Sequence, residues 1–77
     1  MEIRFFAGAA EAAGLESLQI DSAGLTLETL KAHLGDMNPR LARVLEVSSW
    51  LADGQRLSEG PLDGVQQLDV LPPFAGG

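Results

Sequence analysis

Apolar and polar residues alternate at the start of this chain, recur at helical spacing through its middle, and alternate again near its end. Successive side chains of a strand point to opposite faces, so Ile3 and Phe5 share one face of an opening strand, with Glu2, Arg4 and Phe6 on the other. The small, Ala-rich stretch from Ala7 to Gly14 predicts a short helical turn that the glycine stops. Leu18 and Ile20 then alternate with Gln19 and Asp21, which predicts a second strand returning against the first.

The clearest helix begins at Thr26, whose side chain suits an N-cap, with Glu28 in the first turn where the helix dipole favours an anion. Leu27, Leu30 and Leu34 recur on one face, and Gly35 is read as the C-terminal glycine of that helix. Asn38-Pro39 marks a second helical start, with Leu41, Val44 and Leu45 as its buried side. Trp50 to Ala52 form a short strand closed by Asp53-Gly54, a strong two-residue hairpin signal, and Gln55 to Leu57 return. Pro61-Leu62-Asp63-Gly64 is a further turn, and Leu68 to Leu71 is the last strand. The predicted order is β-β-α-β-β-β: an α+β roll with a mixed sheet packed on one main helix, in a single domain over 1–77.

A chain of 77 residues folds around one thin core, burying about 60% of the surface its unfolded form exposes. Its net charge of −6 argues against nucleic-acid binding, since Arg4, Lys31, Arg40, Arg43 and Arg56 are too few and too spread out to follow a phosphate backbone. The absence of cysteine excludes disulfides and thiolate metal sites and fits a reducing, cytoplasmic setting. No apolar run is long enough to span a membrane, and the opening residues lack the pattern of a signal peptide.

The catalytic inventory is almost empty. His33 is the only histidine and belongs at the edge of a polar helix face. Ser48, Ser49 and Ser58 have no base nearby in sequence, and no metal or phosphate-loop motif occurs. An autonomous enzyme is not expected, and no metal ligands are assigned. Trp50 is assigned to the core. Phe6, Leu71 and Phe74, by contrast, fall outside the expected core and suggest a partner-binding patch beside the tail. Pro72 and Pro73 should end the last strand and stiffen an extended arm, because proline offers no N–H to a sheet. Beyond them come Phe74, Ala75, Gly76 and Gly77. A diglycine without side chains can thread a narrow channel, which suits a flexible tail whose Gly77 carboxylate is itself the reactive group.

These features resemble the ubiquitin-like sulfur carriers, which include the thiamine-pathway carrier and the small sulfur-carrier subunit of molybdopterin synthase (MoaD-like). The similarity covers nearly the whole chain and rests on Phe5-Phe6-Ala7 with Glu11 and Gly14, on Asp53-Gly54, on Pro61-Leu62-Asp63-Gly64, and on Leu71 to Gly77. Pro72-Pro73 before the diglycine leans toward the molybdopterin branch. Ala10, where the family often carries arginine, and the less acidic Val65-Gln66-Gln67 depart from the pattern.

The resemblance implies a ubiquitin-like β-grasp fold and a carrier that is not catalytic by itself and holds no permanent cofactor. It implies that an E1-like adenylating enzyme uses ATP and magnesium to activate Gly77, and that a sulfurtransferase or cysteine desulfurase supplies sulfur to make the thiocarboxylate. It further implies docking on the large subunit of molybdopterin synthase, in a heterotetramer, where sulfur passes to precursor Z. Sulfur delivery to thiamine or another pathway, and a role as a ubiquitin-like protein modifier, stay open as alternatives.

Overall fold

The computed structural model describes residues 1–73. Eight elements follow one another: β1 (Glu2–Phe5), α1 (Gly8–Ala13), β2 (Ser17–Gln19), α2 (Leu27–Met37), α3 (Pro39–Val47), β3 (Ser49–Ala52), β4 (Gln55–Arg56) and β5 (Gln67–Leu71). The strands form one mixed sheet in the order β2-β1-β5-β3-β4. Its centre is a parallel pair of β1 and β5, in which Ile3 stands opposite Leu68 and Phe5 opposite Val70; every other pairing is antiparallel. The α+β roll expected from the sequence is the observed architecture, and it has the β-grasp form.

Ile3, Phe5, Trp50, Leu68 and Val70 project from one face of the sheet and are buried with Leu27, Leu30 and Leu34 of α2 and Leu41 and Leu45 of α3. This is the pattern the alternation and the helical spacing predict; Val44 is only partly buried. The single-helix order is corrected, because two further helices are present: α3 packs against α2, and α1 packs against α3. The Ala-rich segment forms the six-residue α1, with Ala9 and Ala12 in the core and Gly14 closing it at φ 78°. The second start at Asn38-Pro39 becomes the nine-residue α3.

Gly35 does not end α2. The helix runs on to Met37, and a Cβ at Gly35 would lie 3.1 Å from that of Ala42. The glycine therefore serves the close approach of α2 and α3 instead of a helix cap. Asn38 provides the break: its extended backbone ends α2, and its side-chain oxygen accepts from the Arg40 N–H at 2.9 Å to begin α3. Its amide nitrogen also donates to the Ala12 carbonyl, tying α3 to α1. At the start of α2, Thr26 and Thr29 cap one another reciprocally, each hydroxyl accepting from the other's backbone N–H.

The Asp53-Gly54 turn has positive φ at both residues, 48° and 83°, as a type I′ hairpin requires. The Asp53 carboxylate also accepts from the N–H groups of Gln66 and Gln67, fixing the entry to β5. In the turn before β5, Leu62 is fully buried, and its N–H donates to the Leu25 carbonyl at 2.8 Å.

Candidate functional site

The helices and the core occupy one face of the sheet, so the alternate positions of the central strands form its open face. Arg4 of β1 and Asp69 of β5 are cross-strand partners there. The guanidinium donates from Nε to Oδ1 at 2.9 Å and from a terminal nitrogen to Oδ2 at 3.2 Å, a two-pronged pair with directional strength. Asp69 retains 8% of its exposure, because Arg4 and the Gln67 amide both engage its oxygens. The hydrogen bond it donates to Asp69 is the main influence raising the Arg4 guanidinium above its ordinary pKa. The same guanidinium lies 5.3 Å from the centre of the Phe6 ring, within range of a cation–π contact.

Phe6 lies one residue beyond β1, yet its N–H still donates to the Val70 carbonyl at 3.2 Å. The parallel register thus continues past the strand and brings Phe6 abreast of Leu71, the last residue of β5. Phe6 is 36% exposed and Leu71 is partly buried. Of the three residues expected in a docking patch, the structure brings these two together; Phe74 lies outside the described residues.

Immediately after Phe6 the chain turns sharply. Ala7 has φ 49° and ψ −124°, and the Ala9 N–H donates to the Phe6 carbonyl at 3.0 Å. This is the first central position of a type II′ turn, which normally takes glycine. A cavity of about 360 Å³ opens beside it, with Arg4, Phe6, Ala7 and Glu16 in its lining.

On the other side of Leu71 the strand stops at Pro72, as expected from its missing N–H; Pro72 is partly buried and Pro73 exposed. Ala75, Gly76 and Gly77, the remainder of the expected tail, lie outside the described residues. His33 is exposed on α2, and among the described residues no cluster of three or more His, Cys, Asp or Glu side chains could hold a metal ion.

The sequence missed two members of this site. Asp69 shares the strand parity of Leu71, and only the register with Arg4 reveals a covered ion pair. Ala7 reads as part of a helix, although its position directly before a glycine at a strand-to-helix corner was the available signal.

A mixed sheet closed by a central parallel pair, packed on α2, with an apolar pair where the last strand leaves the body, defines a β-grasp protein. Residues 3–77 match the ThiS family, and the chain belongs to that family of ubiquitin-like sulfur carriers. Among solved structures it is similar to SAMP1 from Haloferax volcanii, at 28% identity and a TM-score of 0.77, over 100% of this chain and 98% of that one. No curated protein matches it. Among the described residues, no helix is long and apolar enough to cross a membrane.

Proposed function

We propose that this chain is a cytoplasmic sulfur carrier for molybdenum-cofactor synthesis, acting as the small, non-catalytic subunit of molybdopterin synthase. Family membership over residues 3–77 carries the reading, and Pro72-Pro73 ahead of Gly76-Gly77 favours the molybdopterin branch. In the proposed sequence the Gly77 carboxylate attacks the α-phosphate of ATP on an E1-like enzyme, and pyrophosphate leaves. The outer sulfur of a persulfide on a sulfurtransferase or desulfurase then forms a C–S bond as the bond to AMP breaks, and a thiol reductant cleaves the resulting acyl disulfide to leave the thiocarboxylate. The large subunit receives the loaded arm and transfers the sulfur to precursor Z. A carboxylate is a poor electrophile, and the adenylate supplies the leaving group, so no side chain of this chain need act as acid or base. Phe6 and Leu71 would seat the partner where the arm departs, with Phe74 extending the patch.

The test is intact mass with C-terminal fragmentation after incubation with ATP, magnesium, a sulfur source and an adenylating enzyme. Exchange of oxygen for sulfur nearly matches methionine oxidation in mass, so the fragments must place the change on Gly77 instead of Met1 or Met37. A chain lacking Gly77 should keep its fold and transfer no sulfur; normal transfer by that variant would refute the proposal.

A second reading, a ubiquitin-like protein modifier joined through Gly77 to lysine side chains, fits the full-length likeness to SAMP1. Covalent conjugates of higher mass on a denaturing gel, dependent on Gly77, would favour it over sulfur delivery.

A further inference from the structure

Lys31 and Arg56 are 25 residues apart in an acidic chain, yet the fold brings both to one cavity of about 230 Å³ at the β3–β4 end of the sheet. Lys31 arrives from α2, Ser49 and Trp50 from β3, Arg56 from β4, and Ser58 from the segment after it. No acidic side chain is among the described residues that line this cavity.

The donor supply exceeds the acceptors. The Lys31 ammonium lies 5.6 Å from the centre of the Trp50 ring and keeps its three N–H donors. Arg56 reaches Ser49 Oγ only through a long contact of 3.4 Å, leaving most of its fork and the Ser49 hydroxyl proton uncommitted to it. Trp50 is 2% exposed, and its Nε1 is the one buried side-chain polar atom without a partner among the described residues. Trp50 contributes a ring wall under the Lys31 ammonium, and the donors open to an acceptor in this cavity are those of Lys31, Arg56 and Ser49.

From this juxtaposition we infer that the cavity is a binding site for a small tetrahedral oxyanion, inorganic phosphate or sulfate. Donors converge on the cavity from a helix, two strands and a loop, which matches oxygens arranged around a centre better than the flat fork of a carboxylate. The volume suffices for such an ion with several waters, each needing about 30 Å³. Neither the proposed sulfur chemistry nor the sheet face around Phe6 is involved, so the site stands or falls independently of the proposed function.

The test uses nuclear magnetic resonance on the whole folded chain. A single tryptophan gives a single indole N–H resonance, a direct reporter for Trp50. Titration with sodium phosphate or sodium sulfate, at ionic strength held constant with sodium chloride, should move that resonance along a saturating curve. Lys31→Gln and Arg56→Gln, both checked for unchanged amide dispersion elsewhere, should each weaken the apparent affinity about tenfold, as expected for loss of one charge-assisted hydrogen bond. Sodium acetate should give no saturation. A linear drift no larger than that from chloride would overturn the inference. So would saturation undiminished in both variants, or saturation with acetate alone.

Discussion

Arg4 and Asp69 stand directly opposite one another on the two central strands and close a two-pronged ion pair over the open face of the sheet. Unequal exposure of the partners, 43% for the arginine side chain and 12% for the aspartate, sets the asymmetry of their roles. Removing the cation strands a covered anion, whereas removing both leaves neither group unpaired. Arg4→Gln is expected to lower the thermal midpoint, and Arg4→Gln with Asp69→Asn to recover part of the loss. Thermal unfolding of the two single variants and the double variant measures the coupling. Additive effects would show that the pair contributes nothing to stability.

Ala7 occupies a turn position that glycine tolerates without cost, and a non-glycine residue there stores about 1–3 kcal/mol of strain. Ala7→Gly should therefore stabilise the chain by about 1 kcal/mol, after subtracting the added freedom of glycine when unfolded. For a domain of this size that raises the midpoint by about 4–8 °C. Calorimetry checks it, and a lowered midpoint would contradict a strained turn.

Leu62 is fully buried, and Leu62→Ala should cost about 2–5 kcal/mol. Against the roughly 4–12 kcal/mol expected for the whole chain, that is a large fraction. Urea unfolding should show an earlier midpoint with an unchanged slope.

Glu28 lies in the first turn of α2, and its carboxylate accepts from the Gly60 N–H at 3.0 Å. That backbone hydrogen bond is the main cause holding its pKa below the ordinary glutamate value. A depressed folded pKa contributes stability that is present above the unfolded value and lost as pH falls through the folded one. The stability advantage of the natural chain over Glu28→Gln should accordingly be fully present near pH 7 and shrink at an acid pH, where the carboxylate takes up its proton. Urea titrations at the two pH values check this; an advantage that grows on acidification would reverse the sign.

The architecture was legible where side-chain period and turn chemistry agree. Ile3 and Phe5, the leucines of α2, and Asp53-Gly54 each announce their environment locally. What escaped depends on pairings distant in sequence. Gly35 has the look of a helix stop because nothing nearby reveals Ala42 packed against it. Leu62 looks like a turn residue because its bond to Leu25 spans the fold. Of the site, Phe6 and the proline stop were legible from parity and the missing N–H. The covering of Asp69 was not, since it follows from a parallel register between the two strands farthest apart in the chain.

That register also governs how the molecule is made. β5 lies at the middle of the sheet, flanked by β1 and β3, although it is the last strand along the chain. During translation the earlier strands emerge with an empty slot between them, and the sheet has no seam to close until Gln67–Leu71 has left the ribosome. Insertion of that single segment zips both halves together, so the strand that leads toward the diglycine is also the keystone of the finished fold.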